Sequence, residues 1–251
     1  MYRKLIGALA DRGMRGVAFD LPGLGLAERP ERFDYSWTGL GRFSVAAIDA
    51  LGLDRFHLVV HDIGGPIGFE LAAAMPNRVG SLTILDSPIY VDSFSRPWVM
   101  EPFAHPAVAR AWLAAMRPPF FVPLMRMVGI KNKAAMSTSE INAYPALLKL
   151  GDGGKAFLRI MRGFELTAAK QSLYLSTLRR APYPIQIVWG RDDPALKLNI
   201  HGAQARQALP NIPFHEIPGK HFFVEEQPEL TADLIAGLVA RSREPAYVPA
   251  I

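Results

Sequence analysis

Short apolar runs alternate along this chain with segments whose hydrophobic residues recur every third or fourth position. Leu5, Ile6 and Leu9 share one face of a helix predicted over 3–12. Gly16-Val17-Ala18-Phe19, within Arg15–Asp20, predicts a short strand that runs into the turn-rich loop Asp20-Leu21-Pro22-Gly23-Leu24-Gly25. Leu40, Phe43, Ala47 and Leu51 place a helix over Trp37–Leu51. A strand over Phe56–Val60 follows, and then a helix to about Met75 that carries Ile67, Leu71 and Ala74. Further strands are predicted at Leu82–Leu85, Ile185–Trp189 and Phe214–Ile217, with a last helix over Thr231–Ala240. Strands and amphipathic helices in alternation imply an α/β fold, a mostly parallel sheet with helices on both faces.

Residues 88–181 break the alternation. They are rich in Pro, Trp, Phe and Met at helical spacing and show no clear strand. The expected organisation is a core of 1–87 and 182–241, a helical cap of 88–181 over the strand ends, and a loosely ordered tail, 242–251, with Pro245 and Pro249.

Composition narrows the function classes. The 251 residues, half of them hydrophobic, suffice for one sizeable core with an inserted subdomain. The absence of cysteine excludes disulfides and thiolate metal sites and is compatible with a reducing cytoplasm, the expected location. The net charge of +5 is modest and its Lys and Arg are scattered, with no basic stripe interleaved with aromatics, so nucleic acid is not the expected partner. No apolar run reaches membrane-spanning length, and the N-terminus is too broken for a secretory leader. A small-molecule substrate is expected; oligomeric state is not readable.

Parallel sheets place ligands beyond the carboxyl ends of their strands. Asp62, Asp86, Asp193 and His221 all follow predicted strand ends. Of these, Asp62 has the most distinctive setting, His61-Asp62-Ile63-Gly64-Gly65-Pro66-Ile67-Gly68. A strand ends, a carboxylate sits at the break, and two glycines lead into a helix. That is the shape of a nucleophile elbow, with Asp in place of the usual Ser. A carboxylate can attack carbon and form an ester that water later hydrolyses. The alternative is an ordinary helix N-cap, for which Asp after a strand is well suited.

The order Asp62, Asp193, His221 matches nucleophile, acid and base along an α/β-hydrolase sheet. With Asp20-Leu21-Pro22-Gly23-Leu24-Gly25, Trp189-Gly190-Arg191-Asp192-Asp193-Pro194 and Gly219-Lys220-His221-Phe222-Phe223, the chain resembles the haloalkane dehalogenase and epoxide hydrolase branch of that superfamily over nearly its whole length. The resemblance implies an α/β-hydrolase fold and a hydrolase acting on small apolar substrates through an aspartyl ester. In that scheme Asp62 is nucleophile, His221 activates water, Asp193 orients the imidazole, and the backbone N–H of Ile63 stabilises the oxyanion. Asp193 is preferred to Asp192 by the family's Gly-x-x-Asp spacing. Asp86 is the alternative acid, since some dehalogenases carry theirs after the strand that follows the elbow helix. The scheme needs no metal and no organic cofactor. His61 beside the nucleophile is read as structural.

Two departures stand out. The resembling dehalogenases carry Trp directly after the nucleophile to hold the departing halide; here Ile63 offers no side-chain donor. Trp98 and Trp112 are candidate substitutes, and Tyr144 resembles the cap tyrosine that protonates an epoxide oxygen. The chain also begins late by comparison: Met1 falls in the helix after the family's His-Gly oxyanion loop, so an N-terminally truncated fold is expected. A non-catalytic binding protein that keeps the pocket is the second reading.

Overall fold

Four parallel strands lie side by side in chain order: β1 (Phe56–His61), β2 (Val79–Leu85), β3 (Ile185–Gly190) and β4 (Phe214–Ile217). The computed structural model describes residues 1–242, so the expected tail lies almost wholly outside the described residues. Leu58 pairs with Leu82, Ile84 with Ile187, and Val188 with His215, which aligns the strand ends at one edge of the sheet.

The period of two along the strands separates two apolar layers. Val60, Ile84 and Ile187 face the core shared with α2 (Trp37–Ala50), α3 (Gly64–Ala74) and α9 (Ala168–Arg179). Leu85 and Val188 pack on the other side against Phe223 and Val224, beside the layer of α1 (Arg3–Ala10), α11 (Phe223–Glu226) and α12 (Pro228–Arg241). Helix α10 (Ala203–Ala208) lies between β3 and β4 in sequence. Helix α2 starts where Ser36 accepts the N–H of Gly39, a side-chain cap that satisfies one of the helix's unpaired donors.

Between β2 and β3 the described chain is helical and contains no strand: α4 (Glu101–Ala104), α5 (Pro106–Ala115), α6 (Pro118–Val128), α7 (Thr138–Lys149), α8 (Lys155–Arg162) and α9. This segment builds apolar clusters of its own, one around Phe103, Leu113 and Phe157, another around Val122, Met125 and Ile141. No helix among the described residues is long and apolar enough to cross a membrane.

One predicted element does not form. Residues 15–20 are irregular, not a strand. A strand exists only through the ladder it makes with a neighbour. Among the described residues β1 pairs with β2 alone, and residues 15–20 enter no ladder. Val17 and Phe19, which a strand would have buried on one face, are 41% and 39% exposed.

Candidate active site

Asp62 occupies the turn between β1 and α3 with φ +52°, a left-handed conformation that non-glycine residues adopt only under constraint. The constraint is visible. Its N–H donates to the carbonyl of Asp86 at 3.1 Å, and its own carbonyl accepts the N–H of Gly65 at 3.0 Å and the hydroxyl of Ser87 at 2.7 Å. The small residues around it follow from close approach. A Cβ on Gly65 would lie 1.6 Å from Ser87 Oγ, and one on Gly68 would lie 2.3 Å from Val60 Cγ1. Strand and helix therefore meet backbone to side chain, and the turn projects Asp62 clear of both, with 38% of its side chain exposed.

His221 follows β4 and brings two carboxylates together. Its Nδ1 donates to Asp193 Oδ2 at 2.8 Å, and its Nε2 lies 3.7 Å from Asp62 Oδ2. Asp193 is buried and held from the other side by the N–H groups of Ala195 and Leu196, at 2.7 and 3.0 Å from Oδ1. Burial opposes the charge of each of the three groups, and their mutual attraction overcomes it. The Asp193 and Asp62 carboxyls are held below the usual carboxylate range, chiefly by His221. The His221 imidazole is pushed well above its ordinary value, chiefly by Asp193. The backbone N–H of Ile63 also bonds to the Asp62 carboxylate and favours its ionised form.

Asp86 sits beside this group in a different state. It is fully buried, with φ +31°. Its Oδ1 accepts the N–H of Gly190 at 2.8 Å, and its Oδ2 is buried without a hydrogen-bond partner among the described residues. Burial and the neighbouring Asp193 push its pKa well above the usual range.

Sequence reasoning found the four strand-end residues but not Tyr2. His61 Nε2 lies 2.9 Å from the carbonyl oxygen of His221, which can only accept, so Nε2 carries the proton. Nδ1 is then the acceptor for the Tyr2 hydroxyl at 3.1 Å. His61 is buried and neutral, its pKa lowered to about 4 by burial and by His221. His61, Asp86 and His221 offer ligand atoms within 4.8 Å of one another, a metal-like spacing. Both nitrogens of His61 and Nδ1 of His221 are already committed to hydrogen bonds, which accounts for the cluster without an ion. Nothing in the local sequence signals Tyr2, because its bond spans 59 positions of chain.

The expected substrate-binding residues fall in three settings. Trp98 is 63% exposed at the surface. Trp112 donates its indole N–H to the carbonyl of Val99 at 3.1 Å. Tyr144, packed beside Met125 and Phe222, has its hydroxyl pKa raised to about 12 by burial and Glu225. The Tyr2 hydroxyl is raised further by burial and by the nearby Asp62 and Tyr144, so both phenols keep their protons.

A parallel sheet crossed by a strand–Asp–helix elbow, with a carboxylate-bound histidine facing it, defines the class. The chain belongs to the α/β-hydrolase family, whose pattern, described as the alpha/beta hydrolase fold, matches residues 1–228. Its similarities run to haloalkane dehalogenases and to an epoxide hydrolase. It is 27% identical over 247 residues to haloalkane dehalogenase 2 of Mycobacterium bovis, covering 94% of this chain and 82% of that one. Its fold is similar to the crystal structure of haloalkane dehalogenase DbeA from Bradyrhizobium elkani, with TM-score 0.75, 22% identity, and 96% and 85% of the two chains covered. It is also similar to epoxide hydrolase VrEH1 from Vigna radiata, with TM-score 0.69, 24% identity, and 96% and 86% covered.

Proposed function

We propose that this chain is a hydrolase that uses Asp62 as a nucleophile on carbon, and that its substrates are small apolar epoxides. The observation that carries the reading is the placement of His221, with Nδ1 on Asp193 and Nε2 turned to Asp62. In the first step an Asp62 oxygen attacks the substrate carbon, the carbon–oxygen bond breaks, and a phenol gives its proton to the departing oxygen; the His221 proton then restores the phenol. In the second, His221 takes a proton from water and the hydroxide adds to the carboxyl carbon of Asp62. The N–H of Ile63, at the start of α3, stabilises the resulting oxyanion. The acyl carbon–oxygen bond then breaks, a diol leaves, and Asp62 is restored.

Electrostatics suit this order. The Asp62 charge helps to hold the His221 proton in the free enzyme. Forming the ester removes that charge, so His221 becomes less basic and gives up its proton at the step where it must act as a base. Epoxide opening is favoured over halide release by the donors. Ile63 has none in its side chain, the Trp112 indole is committed, and Trp98 is at the surface. The Tyr2 phenol, bonded to His61, lies within electrostatic reach of both Asp62 and Tyr144 instead. The helical segment 88–181 serves as the cap that carries Tyr144, and the lack of cysteine fits a cytoplasmic setting.

The test is His221→Gln with an excess of a small epoxide or a haloalkane. Asp62 still attacks, but the ester is not hydrolysed. Intact-protein mass spectrometry should show a stable adduct on Asp62, from the epoxide in preference to the halide. A parent chain that turns over with no adduct in the variant rules out the aspartyl ester. A parent chain that binds these compounds without turning them over, and a variant without adduct, indicate the binding protein instead.

A further inference from the structure

A cavity lies within the helical segment, bounded by the end of α5, Arg117, the end of α7 and the start of α8. It has a volume of about 500 Å³, and its wall carries Arg110, Arg117, Lys149 and Lys155 over an apolar floor of Leu113 and Leu158. The acidic member of the wall is Asp152. Its carboxylate is already engaged, accepting the N–H groups of Gly154 and Ala156 at 2.8 and 2.7 Å at the start of α8 and lying 3.6 Å from Arg29 Nε. Among the described residues, no carboxylate forms an ion pair with any of the four cations. Lys149 donates to the carbonyl of Met116 and Arg117 to that of Ala114.

Four cations gathered around one hollow with Asp152 as the single carboxylate in its wall leave an excess of positive charge. The cost is visible at Lys149, whose pKa is lowered by burial and by Arg117. A surface that only needed solubility would intersperse the signs. The hollow is of small-ligand size and joins an apolar floor to convergent polar groups, the usual anatomy of a binding site. Two guanidinium groups present the planar forks that match phosphate oxygens.

We propose that this cavity binds a phosphate monoester of a small apolar organic molecule, with its phosphate among Arg110, Arg117, Lys149 and Lys155 and its apolar part on Leu113 and Leu158. The bound dianion relieves the repulsion that the empty wall carries. The site is independent of the Asp62 chemistry.

The test is calorimetric titration of the full chain with phenyl phosphate, inorganic phosphate and phenol at constant ionic strength. Phenyl phosphate should bind several-fold more tightly than inorganic phosphate, and phenol should not bind. Arg117→Gln with Lys149→Gln should weaken phenyl phosphate by about tenfold or more, the loss of one or more charge-assisted bonds. Arg110→Gln with Lys155→Gln, both at exposed positions, should do the same if the first variant does not fold. No binding of phenyl phosphate, equal affinity for inorganic phosphate, or affinity unchanged in a folded variant would each overturn the proposal.

Discussion

Two carboxyls flank His221, and they do different work. Asp193 bonds to the imidazole, which helps to hold its pKa below the usual range; Asp86 accepts from Gly190, and burial and Asp193 push its pKa well above that range. Asp193→Asn should therefore lower turnover by up to about 10⁴-fold, the scale set by loss of a triad carboxylate. Asp86→Asn, a neutral isostere that keeps a donor, should stay within a few-fold of the parent. Equal losses in the two variants would make Asp86 the working acid. The same substitution predicts a pH effect. The folded state keeps the Asp86 proton that the unfolded chain releases at ordinary carboxyl pKa. The stability this confers is complete below that value and is lost as pH rises through the folded pKa. Asn cannot ionise, so Asp86→Asn should raise the Tm more at neutral pH than at acid pH, by about 2–4 °C for each kcal/mol recovered. Thermal melts across pH check it. That Asp62, Asp193 and His221 share one edge of the sheet could be read from the sequence because each follows an apolar run. The raised pKa of Asp86 and the Tyr2–His61 bond could not, since both depend on neighbours that only the folded chain supplies.

At the level of elements, the elbow depends on glycines more than on the residue it displays. Gly68 lies where a methyl group would meet Val60 at 2.3 Å, and Gly65 where it would meet Ser87. Gly68→Ala should cost about 1–3 kcal/mol, the range for overpacking a closed core. The loss should appear as a lower denaturation midpoint and a disturbed His221–Asp62 approach, hence reduced turnover. An unchanged midpoint would mean that β1 and α3 part easily. Strands and helices whose apolar period points to one buried face were readable to within a few residues: α2, β2, β3 and α12 all lie where their patterns put them. Residues 15–20 show the limit of that reading. Gly16-Val17-Ala18-Phe19 has the composition of a strand, but composition does not supply a partner, and without a ladder the pattern has nothing to act on.

Across the whole molecule, that same stretch leaves apolar side chains in water. Val17 and Phe19 are exposed, and β1 forms one margin of the sheet. Exposed apolar segments and open sheet margins favour pairing between copies. The chain should associate weakly as its concentration rises, and Val17→Lys with Phe19→Lys should suppress it; light scattering over a concentration series distinguishes the two. A chain that stays monomeric throughout would show that this surface is protected. The placement of the helices between β2 and β3 has a different consequence. Those strands are neighbours, paired from Leu82↔Ile185 to Leu85↔Val188, so both ends of the intervening segment are pinned at the separation of adjacent strands. The closure cost of a long loop grows only with the logarithm of its length, about 0.6 kcal/mol per doubling. The segment can therefore vary in length at little cost outside residues 126–131, where it bonds to Lys220, Phe222 and Asp192 beside the strand ends. Most of that segment is thus free to change over generations while the residues at the strand ends stay as they are.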